Sequence, residues 1–159
     1  MMRVISERCL EFQQELFVCF VDFEKAFDRV NWLRLFKILE KIGIDWRDRR
    51  MIAALYMNQT ASVRTRSGNT ERAEIGRGVR QGCILSPLIF NIYAEAMIRE
   101  SLDDLEEGVK VGGMLVKSVR FADDQAMIAR SEEGLQHMMN RTNEVVLDNG
   151  IRSMPRRTR

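Results

Sequence analysis

The chain has one histidine, two prolines and three cysteines among 159 residues, and these scarcities narrow what it can be. Cys9, Cys19 and Cys83 are odd in number, widely spaced and without a C-x-x-C pair, which argues against both a disulfide framework and a zinc site and leaves structural thiols. His137 sits on a polar-looking helical stretch behind a turn, a poor position for acid–base work. No run approaches the roughly 18 apolar residues that a membrane span requires, and the charged start MMRVISERCLEFQQE is unlike a secretory signal. The expectation is a soluble intracellular chain, without a choice between nucleus and cytoplasm. Repeats, linkers and low-complexity tracts are missing too, and 45% hydrophobic with 30% charged residues fits one ordinary globular domain.

A net charge of +2 is too small to indicate a polyanion partner, yet 20 of the 25 basic residues are arginine. Arginine favours bidentate phosphate contacts. Eight of these arginines fall between Arg47 and Arg80, and four crowd the last eight residues, including Arg157. A solvated surface is the plainer account of composition alone; a basic track beside a catalytic site would favour nucleic acid.

Periodicity alternates strand and helix. Leu16 to Phe23 is a short apolar run of strand length, and Leu35, Phe36, Leu39 and Ile42 recur at helical spacing. Gly43 closes that helix, and a second runs from about Trp46 to Met57. The stretch around Ser67-Gly68-Asn69 reads as a hairpin. Ser86 is placed as an N-cap with Pro87 in the first turn of a helix ending near Leu105. Small hairpins are expected over 109–116 and 118–129, then a helix from Ser131 to about Asn149. One α+β domain accounts for this order.

Charge embedded in apolar sequence wants a partner. Asp22 follows the run Leu16 to Val21, while Asp123 and Asp124 interrupt a strand pattern. Neighbouring residues on a regular strand face opposite ways, but at a tight hairpin both carboxylates can approach one point, and Asp22 at the end of an adjacent strand can complete the cluster. Like charges that close call for a cation, and hard oxygen ligands select Mg²⁺ or Mn²⁺. An isolated Asp-Asp pair is more often an exposed turn. Phe27, taken alone, is more simply a core aromatic. Gly82 allows close backbone approach and Gln81 offers both donor and acceptor, while Arg80 has the charge to meet a phosphate. Lys25 and Asp28 fit an ion pair at a helix start as well as any functional role.

Three ordered segments, FVDFEKAFDRVNW, GVRQGCILSPLIFNIY and FADD, resemble the first three catalytic motifs of non-LTR (LINE-type) retrotransposon reverse transcriptases, and the similarity runs from about Leu16 to Arg159. The resemblance implies a polymerase palm, with a small antiparallel sheet packed against helices on one face. Residues 1–15 would be a partial N-terminal extension and 16–159 a truncated palm, with fingers and thumb largely missing. It implies RNA-directed DNA synthesis with an RNA template, a DNA primer and deoxynucleoside triphosphates as partners and two Mg²⁺ ions, or Mn²⁺, as cofactors. Asp22, Asp123 and Asp124 then become catalytic metal ligands, joined by the backbone carbonyl of Phe23. Phe27 matches the aromatic that excludes a 2′-hydroxyl, and Arg80, Gln81 and Gly82 line the nucleotide pocket. The ending NGIRSMPRRTR resembles a fourth motif, with arginines where lysine is usual; Arg157 can hold charge there but is a poor proton donor. Met154-Pro155 also intrudes on an expected strand. An inactive retroelement remnant and a nucleic-acid-binding domain without polymerase activity remain alternative readings.

Overall fold

Alternation of side chains along extended segments, together with helices that supply matching apolar stripes, organises the chain. The computed structural model describes residues 2–23, 25–121, 124–149 and 153–157, with backbone only at 121, 124 and 153–157. In order these form α1 (Met2–Glu11), β1 (Phe17–Phe23), a 3-10 turn (Ala26–Arg29), α2 (Trp32–Lys41) and α3 (Trp46–Tyr56). Short strands β2 (Thr60–Ala61), β3 (Arg64–Thr65), β4 (Gly68–Asn69) and β5 (Ala73–Glu74) precede α4 (Ser86–Leu102). Then come β6 (Val109–Val111), β7 (Met114–Val116), β8 (Ser118–Phe121), β9 (Asp124–Ala129), α5 (Glu132–Asp148) and β10 (Ser153–Arg157). The chain divides into two compact units, residues 1–24 with 94–159, and residues 25–93.

In the first unit the antiparallel sheet runs β10-β1-β9-β8. The pleat sends Val21, Met127 and Ala129 into a core with Ile98, Leu102 and Met138 from α4 and α5. Ile128, one residue out of phase, goes to the other face and packs with Ile5 and Cys9 of α1 and Val109 of β6. The helices expected on one face are therefore α4 and α5. The stretch read only as an N-terminal extension adds α1 and covers part of the opposite face. Pro155 sits opposite Val21 in β10, and it is tolerated there because β10 is an edge strand, where a missing N–H need not break a second ladder.

Two helix ends depart from expectation. Ser86 does not cap α4: it is the first helical residue, Ile89 N–H bonds the Leu85 carbonyl at 2.9 Å, and the Ser86 hydroxyl donates to the Arg80 carbonyl at 2.6 Å. The helix stops at Leu102, three residues before Leu105, because Lys117 Nζ donates to the Leu102 and Asp103 carbonyls at 2.6 and 2.9 Å, placing a cation at the negative helix end. Ser131 caps α5 as expected, accepting from Gly134 N–H at 3.0 Å.

In the second unit Leu35, Ile38 and Leu39 of α2 and Tyr56 of α3 are buried. The hairpin around Ser67 forms as β3–β4, extended outward by β2–β5.

Candidate active site

Asp22 is the penultimate residue of β1 and is exposed, because the strand's apolar alternation ends there with Val21 inside and Asp22 out. Strands β1 and β9 pair antiparallel from Phe17↔Ala129 to Val21↔Gln125. Carried one step further, that register sets position 22 against position 124, which puts the two positions at the same end of the sheet and on one face. Asp124 also closes the β8–β9 hairpin opposite Phe121. Asp123 lies outside the described residues, and Asp124 and Arg157 are described by backbone alone. Among the described residues no group of three or more His, Cys, Asp or Glu side chains forms a metal cluster. The donor set of this sheet end, carboxylates with the Phe23 carbonyl one residue beyond Asp22, consists of hard oxygens and fits Mg²⁺ or Mn²⁺ chemistry.

The second unit carries a cleft of about 850 Å³, lined in part by Asp28, Arg77, Arg80, Gln81, Gly82 and Cys83. Its floor is a tight turn. Cys83 N–H bonds the Arg80 carbonyl at 3.3 Å, and Gly82 takes φ +80°, the positive value that the third residue of a type II turn requires and glycine supplies without strain. Gln81 and Arg80 are consequently displayed, both exposed, on a rigid loop whose carbonyl is held again by Ser86. Hydrogen bonds from the Leu85 backbone, and further ones from Ser86, hold the Cys83 thiol below its ordinary pKa, outweighing the slight burial that raises it. Sequence reasoning read Cys83, with the other two cysteines, as a structural thiol.

Phe27 lies half-buried in the 3-10 turn and stacks on Phe90 of α4. This turn is fastened to the loop before the cleft: Val79 N–H donates to the Phe27 carbonyl and Gly78 N–H to the Val30 carbonyl, both at 2.8 Å. Among the described residues the Lys25–Asp28 ion pair is not formed; Asp28 Oδ1 instead lies 3.4 Å from Gln81 Nε2. Trp32 and Gly78 were not singled out for this site from sequence, and Asp28 was named there without its contact to Gln81. The signal available was the run of glycines at 76, 78 and 82, which marks close backbone approach but not its partner.

On the first unit, Glu95 of α4 accepts a hydrogen bond from Arg99 Nε and forms an ion pair with Arg120 of β8. Partial burial raises its carboxyl, and the two guanidinium groups more than offset this, leaving it below the usual range. His137 pairs with Glu107 at 2.6 Å at the surface. Among the described residues no helix is long and apolar enough to cross a membrane.

Residues 2–158 match the family described as reverse transcriptase (RNA-dependent DNA polymerase). The chain is 30% identical over 142 residues, 89% of its length, to the "Retrovirus-related Pol polyprotein from type-1 retrotransposable element R2" of Nasonia vitripennis, and covers 14% of that protein. It is 27% identical over 126 residues to the corresponding type-2 R2DM polyprotein of Drosophila melanogaster, with 79% of this chain and 12% of that protein covered. The chain thus spans about one seventh or less of these relatives. Among solved structures, telomerase from Candida albicans, in complex with a fragment of telomeric RNA, superposes with a TM-score of 0.72 at 15% identity, covering 99% of this chain and 30% of that one. Apo telomerase from Candida tropicalis gives 0.67 at 15% identity, with 98% and 32% covered. At such identities these neighbours speak for the fold.

Proposed function

This chain belongs to the reverse transcriptase (RNA-dependent DNA polymerase) family and is a reverse transcriptase domain of the non-LTR retrotransposon kind, and from that premise we propose that it catalyses RNA-directed DNA synthesis. The observation that carries the proposal is the β1–β9 register, which brings positions 22 and 124 to one end and one face of the sheet within a chain matched to this family.

The reaction joins the primer 3′-oxygen to the α-phosphorus of a deoxynucleoside triphosphate and breaks the bond from that phosphorus to the bridging oxygen, releasing pyrophosphate; the hydroxyl proton goes to solvent. Asp22, Asp123 and Asp124, with the Phe23 carbonyl, would hold two divalent ions, Mg²⁺ or Mn²⁺. Bound there, these ions lower the pKa of the primer hydroxyl and neutralise the departing charge. The aspartates would supply the negative charge that draws the cations. Phe27 would exclude a 2′-hydroxyl by the bulk of its ring. Gln81 and the Gly82 backbone bind the nucleotide, and Arg80 meets its phosphates. Arg157 would add positive charge, a guanidinium being a poor proton donor. The RNA template, DNA primer and deoxynucleoside triphosphates are the partners this reading requires.

The test is primer extension on an RNA template with Mg²⁺ or Mn²⁺, comparing deoxy- with ribonucleotides and the wild-type chain with Asp123→Asn. Extension with deoxynucleotides that the substitution abolishes is the expected result. Equal extension by both proteins overturns the assignment of Asp123, and none from wild type overturns the polymerase reading.

A further inference from the structure

Gln81 carries an amide that can present either its NH₂ or its oxygen to a ligand, and nothing in its own sequence neighbourhood decides which. Asp28 decides it. An aspartate carboxylate accepts only, so the contact of 3.4 Å between Asp28 Oδ1 and Gln81 Nε2 engages the amide nitrogen and leaves Oε1 as the atom not used by Asp28, and both residues line the cleft.

At that length the contact is governed by how firmly the two backbones are held, and the restraint is tight. Gly78 has φ +92°, and a β-carbon there would lie 2.9 Å from the Asp28 carbonyl oxygen and 3.0 Å from its Cα. Only glycine lets the two stretches of chain approach so closely. Trp32 Nε1 donates to the Gly78 carbonyl at 2.7 Å. Gly78 and Val79 N–H groups bond the Val30 and Phe27 carbonyls on either side. Residues 27–32 and 78–79 thus form one clamp, and Gln81 is two residues beyond its end.

We infer that Asp28 is a positioning residue for Gln81, turning its amide oxygen into the cleft as a fixed acceptor for a hydroxyl or amino donor on the bound nucleotide, and that Trp32 holds the separation at which it does so. The inference rests on the proposed nucleotide-binding role of Gln81 and deepens it, since it names which atom of Gln81 the ligand meets. Asp28 touches no reacting atom; it acts through Gln81.

Two measurements on the 159-residue chain test this, one independent of activity. In ¹⁵N-labelled protein the Gln81 side-chain amide signals, identified by their loss in Gln81→Ala, are expected to move and to exchange faster with water in Asp28→Ala and, to a smaller degree, in Trp32→Phe. Unchanged signals overturn the proposal. In primer extension, Asp28→Ala is expected to raise KM for the deoxynucleotide roughly fivefold, with kcat held within about twofold. In the Gln81→Ala background the same substitution is expected to add nothing. Independent, additive losses would mean Asp28 acts by another route and would likewise overturn it. If the wild-type chain extends no primer, the polymerase reading fails while the amide signals still decide the positioning claim.

Discussion

The rings of Phe27 and Phe90 stack with centroids 4.6 Å apart and planes 21° from parallel. The stack joins the 3-10 turn that follows β1 to the first turns of α4, and it fixes the face that Phe27 turns away from Phe90. Shortening Phe27 to alanine is expected to reduce discrimination against ribonucleotides by roughly 10- to 100-fold, because the steric filter proposed for its ring is removed. Phe90→Leu keeps the filter but gives up about 1 kcal/mol of ring stacking, so a smaller drop in discrimination is expected. Competing deoxy- and ribonucleotide incorporation measures both, and equal discrimination in wild type and Phe27→Ala would exclude the sugar-selecting role.

Asp22 is exposed at a strand end, so Asp22→Asn should alter catalysis and leave folding nearly intact. Extension is expected to fall by roughly 10²- to 10³-fold with the thermal midpoint little changed. Chelation of divalent ions should abolish wild-type extension, and Mg²⁺ or Mn²⁺ should restore it.

Met127 is fully buried among Val21, Ile98, Leu102 and Met138. Met127→Ala is expected to cost about 2–5 kcal/mol and Ile128→Val, on the opposite face, about 0.5–1.5 kcal/mol. Urea unfolding followed by circular dichroism gives both values; a cost for Met127→Ala below that of Ile128→Val would contradict the two-faced sheet.

The bond to His137, helped by backbone groups at Glu107 and Glu106, holds the Glu107 carboxyl below its ordinary pKa. A carboxyl depressed in the folded state stabilises the fold above its unfolded pKa of about 4.3 and loses that contribution as pH falls through the lower folded value. Glu107→Gln is therefore expected to lower the melting temperature near neutral pH, with the difference from wild type shrinking below about pH 4. Melting curves across pH check the sign.

Residues 25–93 hold 13 basic against 6 acidic side chains, a charge of +7, which leaves −5 for the rest of a chain whose total is +2. RNA binding by this chain should weaken steeply with salt. Replacing Arg64 and Arg66, both exposed in and beside β3, by alanine is expected to reduce the slope of log affinity against log salt by roughly 0.7 for each phosphate that is no longer neutralised. A slope unchanged in filter-binding titrations would place the RNA elsewhere.

Local chemistry made much of this molecule readable from its residues. Strand runs such as Leu16 to Phe23, the helical stripe of Leu35 and Leu39, the Ser131 cap and the family motifs around Asp22, Gln81 and Asp124 all depend on neighbours within a few positions, and such order survives in a linear string. The end of α4 did not, because Lys117, fifteen residues on from Leu102, supplies the bonds that stop it. Nor did α1: a short amphipathic stretch becomes a helix with a purpose only when Ile5 and Cys9 meet Ile128. Sequence alone thus determined which family the chain belongs to and named the carboxylates and glycines proposed for its chemistry. Tertiary structure alone decided that Asp28 answers Gln81, 53 positions further along the chain, since hydrogen-bond partners so far apart are chosen by how the backbone packs, here by a glycine at position 78 that has no side chain to keep the two segments apart.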